Sequence, residues 1–126
     1  MTAAVTGFYA APLAVLFLLL SVRVITYRRG NSINLGDRGD QVMLARTRAQ
    51  GNFAEYAPFG LLLMLIAELQ GAASLWLHIS GALLLIGRVL HGVNFSFGIR
   101  NMALRVGGMV LTLTALGLAA ALCLPL

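Results

Sequence analysis

The chain has 126 residues, of which 60% are hydrophobic and 10% charged, and its mean hydropathy is +0.89. A soluble domain carries roughly a quarter of its residues as charge, so the apolar surplus must face lipid, and one domain spanning residues 1–126 is expected. The nine cations are all arginine, four acids (Asp37, Asp40, Glu55, Glu68) leave a net charge of +5, and no soluble face exists to present that charge to nucleic acid.

Residues 7–26 form a first candidate span, 20 residues interrupted only by Arg23. At 1.5 Å per residue this covers a hydrocarbon core of about 30 Å. Its leading end is uncharged and its trailing end positive, the reverse of a cleaved signal peptide. Residues 30–39, with Asn31, Asn34, Asp37 and Arg38, read as a polar loop. The second span is unusual, because residues 56–67 are too short to cross alone. Extending the helix back to about Gln41 makes it long enough but takes in Arg46, Arg48, Asn52 and Glu55. A tight turn is expected at 71–74. Residues 69–87 and 106–126 supply the third and fourth spans, with a last turn at 96–101. The fold class is thus all-α, a four-helix membrane bundle.

All nine arginines cluster at one end of the four spans. By the positive-inside rule that end is cytoplasmic and both termini lie outside. The single cysteine, Cys123, has no partner for an intramolecular disulfide and reads as a packed, inert thiol.

On the second helix, Arg48, Asn52 and Glu55 fall within about 60° of one another at 100° per residue, and Tyr56 extends the stripe. Arg46 and Gln50 point nearly the opposite way. A helix polar on two sides at membrane depth cannot show both to lipid, which predicts an oligomer with this helix central. Arg88, His91 and Phe95 end the third helix with Asn94 adjacent, and Arg105 starts the fourth. Several guanidiniums, one carboxylate and amides at one depth suit a small carboxylate-bearing ligand held between helices. Metal-ligand clusters, a serine–histidine–acid set and a phosphate-binding loop are all missing from the sequence.

The run Arg48-Ala49-Gln50-Gly51-Asn52-Phe53-Ala54-Glu55-Tyr56-Ala57-Pro58 resembles the helix 2 signature of the MAPEG superfamily (membrane-associated proteins in eicosanoid and glutathione metabolism). Val24-Ile25-Thr26-Tyr27-Arg28-Arg29 is similar to the end of helix 1 in leukotriene-C synthases. Gly87-Arg88-Val89-Leu90-His91 is similar to helix 3 of microsomal prostaglandin E synthases. The short, lysine-free chain looks most like the bacterial branch, which implies an inner-membrane location. The resemblance implies a homotrimer holding glutathione in a cytoplasm-facing cleft between subunits. Arg48, Asn52, Glu55 and Tyr56 would bind from one subunit, Arg28 and Gln50 from the neighbour, and His91 is a further candidate contact. Arg105 matches the arginine that faces the thiol in enzymatic members, where a guanidinium favours thiolate for attack on a lipophilic electrophile. The implied activity is that of a glutathione-dependent transferase or peroxidase.

Two departures bear on this. His91 and Phe95 stand where leukotriene-C synthases carry two tyrosines, and the turn before Arg105 is longer. A non-catalytic membrane adaptor or lipid-binding protein is therefore the alternative, favoured by Phe95. A small four-span exporter is a third reading, opposed by the absence of acid in the first helix. Arg23 and Arg29 read as topology anchors, and His78 and Trp76 as interfacial. Glu68 and Gln70 read as solvated. Gly107, Gly108 and Gly117 read as sites of close helix packing.

Overall fold

The computed structural model describes residues 2–125, which form four helices: α1 (Ala4–Gly30), α2 (Gln41–Leu69), α3 (Ser74–Ser96) and α4 (Met102–Leu122). All four are long and apolar enough to cross a membrane, α1 the most apolar of them. The bundle is therefore an all-α membrane fold, with no strand among the described residues.

Helix starts follow local chemistry. Gly36 and Gly39 take positive φ before α2, and the Asp40 carboxylate then accepts from the Met43 N–H at 3.0 Å. That bond and the Tyr27 hydroxyl hold the Asp40 carboxyl below its usual range. Asn101 caps α4 in the same way, accepting from Ala103 and Leu104. α1 has no side-chain cap of its own at Ala3. Glu68, at the far end of α2, supplies one by accepting from the Val5 and Thr6 N–H groups at 2.8 and 2.7 Å and from the Thr6 hydroxyl. The reading of Glu68 as solvated is thus corrected: free N–H groups at a helix start attract a carboxylate from a neighbouring helix.

The extension of α2 back to Gln41 matches the expected start, and its 29 residues span about 43 Å, well beyond the hydrocarbon thickness. Its arginine-bearing turns therefore reach toward the polar boundary. α3 differs from the expected 69–87 span at its start and matches the expected end before the 96–101 turn. It begins at Ser74, because the chain turns at Gly71 with φ +87°. It continues through Arg88 to Ser96, because that guanidinium finds partners inside the bundle.

α2 and α3 touch each other and both remaining helices, whereas α1 and α4 do not touch. The core runs along Tyr9, Leu13, Leu16 and Leu20 of α1, packed on Ala49, Phe53 and Ala57 of α2 and Leu84 of α3. Phe17 stacks on Phe53 at 5.3 Å between centroids. Backbone meets backbone where α3 packs on α4: a Cβ at Gly87 would stand 2.8 Å from the Gly108 carbonyl, and one at Gly108 would stand 2.9 Å from the Gly87 carbonyl. Gly108 thus fulfils its expected packing role, while Gly107 and Gly117 face open space. Phe8, Val15, Leu18, Phe59, Leu62, Ile86, Val110 and Leu113 are exposed outward, as a lipid-facing surface requires.

Candidate functional site

Arg48 and Glu55, two turns apart on α2, form the one ion pair among the described residues, at 3.4 Å, with side chains 50% and 53% exposed. A pair that open carries little stability, so both charges remain available to a ligand. Asn52 lies between them but turns inward, where its carbonyl oxygen accepts from Arg88 Nη1.

Arg88 is the largest fully buried side chain, at 1% exposure. Its Nε donates to the Thr112 hydroxyl at 2.9 Å and its Nη2 reaches the Met109 sulfur at 3.2 Å. Its guanidinium carbon lies 5.6 Å from the centre of the Tyr56 ring. One buried cation thereby ties α2, α3 and α4 together and orients the back of the Asn52–Tyr56 stripe. The sequence reading placed Arg88 on the polar end of α3 without giving it this role. Its signal was a charge inside an apolar run, which is rare without a partner.

His91, expected as a ligand contact, is 5% exposed and stacks on Phe95 at 4.6 Å. Its Nδ1 has no hydrogen-bond partner. The Arg105 guanidinium in turn lies 5.2 Å over the Phe95 ring. Arg105, Phe95 and His91 thus form a stack running inward from the α4 start, and Phe95 occupies the place below the guanidinium.

Gln50 and Arg46, on the other face of α2, meet α1 of the same chain. Gln50 donates to the Ser21 hydroxyl at 3.0 Å, and Arg46 donates to the Arg23 carbonyl at 3.0 Å. α1 of the same chain thus meets most of that face, leaving the Arg46 Nε without an acceptor, so the oligomer argument drawn from two exposed polar faces is weakened on this side. Arg23 is more than a topology anchor: its Nε and Nη2 hold the Ser96 hydroxyl and carbonyl, and it lies 3.6 Å over the Phe97 ring. Arg28 stands apart from this cluster and donates to the Gly36 carbonyl at 2.7 Å in the α1–α2 loop. His78 accepts or donates at 3.0 Å with the Tyr9 hydroxyl near the opposite end.

A cavity of about 660 Å³ opens at the arginine-rich end, lined by Arg23, Arg46, Arg48, Arg100 and Arg105 together with the 94–98 turn. It gathers Arg48 and Arg105 of the expected site, whereas Arg28, Gln50, Asn52, Glu55, Tyr56 and His91 are not in its lining. No group of histidine, cysteine or acidic residues able to hold a metal occurs among the described residues.

The four spans, the α2 stripe and the arginine at the start of α4 define a class, and comparison with known proteins agrees. The profile of the MAPEG family matches residues 6–125, and the chain belongs to that family. It is similar to the inner membrane protein YecN of Escherichia coli, with 35% identity over 112 residues, covering 89% of this chain and 84% of YecN. YecN from a second strain of that organism matches equally. No solved structure matches.

Proposed function

We propose that the protein binds glutathione in a cytoplasm-facing cleft and transfers it to, or reduces with it, lipophilic electrophiles of the inner membrane. The observation that carries this reading is the half-exposed Arg48–Glu55 pair, held on one α2 face with Asn52 and Tyr56 in a chain of the MAPEG family. The donor set fits the ligand. Glutathione carries an ammonium and two carboxylates, and Glu55 and Arg48 offer the opposite charge to each in a fixed register. When bound, glutathione supplies a thiol as nucleophile. Arg48 and Glu55 orient it, Tyr56 walls the cleft, and Arg105 favours the deprotonated sulfur through its charge.

Assembly as a homotrimer is part of this reading, supported by the resemblance to the family and by the one α2 face that the protomer leaves open. Arg28 and Gln50 would then serve the cleft of a neighbouring copy with the donors left over from the single bonds they make in their own chain, to Gly36 and Ser21. The relative's inner-membrane location and the arginine asymmetry support a multi-pass inner-membrane protein with both termini outside.

A second reading, a non-catalytic glutathione- or lipid-binding adaptor, is favoured by Phe95 lying directly under Arg105. A hydroxyl-free ring there offers the sulfur no second donor. Calorimetric titration of purified protein with glutathione tests binding, and absorbance of the bound thiolate near neutral pH separates the two readings. Absence of saturable binding rejects both glutathione readings.

A further inference from the structure

The cavity at the arginine-rich end has two unlike sides. Arg48 and Arg105 belong to the glutathione reading. Arg23, Arg46 and Arg100 line the same space and have no task in it. All four acids of the chain are engaged elsewhere. Glu55 pairs with Arg48, Glu68 caps α1 at the far end, and Asp37 and Asp40 bind loop and cap groups. No acid lines the cavity.

Arg23 and Arg46 are nevertheless held firmly. Arg23 rests on Phe97 and Ser96, and Arg46 lies 4.8 Å over the Tyr27 ring while donating to the Arg23 carbonyl. Rings and carbonyls fix these guanidiniums side by side without neutralising them. The Arg46 Nε is buried with no acceptor. Two adjacent, part-buried like charges call for an anion. The rim adds a second requirement: Met102 lines the cavity and is exposed, and Val106 and Val110, one and two turns farther along the same face of α4, carry that exposed apolar stripe into the span. Ligand and rim together describe an amphiphile with an anionic head.

We propose that the Arg23–Arg46–Arg100 side of the cavity binds the phosphate of an anionic phospholipid headgroup, with the acyl chains lying along Met102, Val106 and Val110 of α4. Guanidiniums meet phosphate oxygens in a bidentate fork, and the site lies where the ends of the helices reach the headgroup layer. The proposal goes beyond the glutathione reading and does not need it.

The test is native mass spectrometry of the purified protein titrated with phosphatidylglycerol or phosphatidylcholine of identical chains. Wild type should retain the anionic lipid several-fold more. Arg46→Gln and Arg100→Gln should each reduce that preference by roughly five-fold. Leu44→Glu, at an exposed position lining the cavity, should abolish it by placing an acid there. Arg38→Gln removes the same charge from the distant loop and should leave it unchanged. Equal retention of both lipids overturns the site, and so does an equal loss in Arg38→Gln, which would mean diffuse attraction to the leaflet. Saturable binding of inorganic phosphate that displaces the lipid overturns the headgroup assignment in favour of a soluble anion. Glutathione affinity, read on the same samples, should stay within a few-fold in Arg46→Gln and Arg100→Gln. If it collapses along with lipid retention, the cavity is one glutathione site and the separate lipid site is rejected.

Discussion

Arg48 and Asn52 sit one turn apart on α2, yet their surroundings separate them. Arg48 is half-exposed beside Glu55, whereas Asn52 is an acceptor for a buried guanidinium. Under the proposed function, Arg48→Ala or Glu55→Ala weakens glutathione binding by roughly ten- to a hundred-fold, the worth of one charge-assisted contact in a confined site. Both variants should melt close to wild type, because exposed pairs contribute about 0–1 kcal/mol. Arg105→Ala should keep affinity within a few-fold and lose the thiolate absorbance, with lysine rescuing only in part. Asn52→Ala should behave differently. Stranding Arg88 Nη1 in the bundle costs about 1–3 kcal/mol, so thermal stability falls even without glutathione. A wild-type melting temperature in Asn52→Ala would show that Arg88 finds another acceptor.

At the scale of the helices, the contact of α3 with α4 rests on backbone approaching backbone at Gly87 and Gly108. A methyl group there meets a carbonyl oxygen, which cannot rotate away as a side chain can. Gly87→Ala or Gly108→Ala is expected to destabilise by about 1–3 kcal/mol and to disturb Thr112, whose hydroxyl accepts from Arg88 and donates to the Gly108 carbonyl. Gly107→Ala and Gly117→Ala meet nothing within 4 Å and should melt like wild type. Thermal unfolding in detergent compares the four variants directly. α1 is fastened at both ends by α2, through Glu68 on Val5 and Thr6 and through Arg46 on the Arg23 carbonyl. These polar fixings supply what apolar contact cannot, since lipid competes for apolar faces.

The whole molecule leaves one ionised stripe, Arg48 and Glu55, uncovered by its own helices. Ionised groups at membrane depth are covered by protein or water, and the proposed trimer covers them. Native mass spectrometry from mild detergent should give three copies, and a stable monomer in a lipid nanodisc would sink the proposal. Topology is a separate prediction. Reporter fusions at the C-terminus should read outside and fusions in the 31–40 loop cytoplasmic. The opposite result would turn the arginine-rich cavity away from the glutathione pool.

The sequence by itself determined the number of spans, the one-sided arginines, the backward extension of α2 to Gln41 and the family, through the spacing of Arg48, Asn52, Glu55 and Tyr56. These are properties of hydropathy and of helical periodicity, which depend only on residues near one another in the chain. Only the tertiary structure decided where the polar side chains go. Two faces of α2 read as equally polar, but α1 covers Arg46 and Gln50 and leaves Arg48 and Glu55 open. Glu68 read as solvated because its partners, Val5 and Thr6, lie more than sixty residues away. Arg88 read as one more cation at the polar end of α3, whereas it is buried because Asn52 and Thr112 arrive from two other helices to receive it. A polar group in a membrane protein is satisfied across helices, and periodicity along one helix does not say which neighbour comes to meet it.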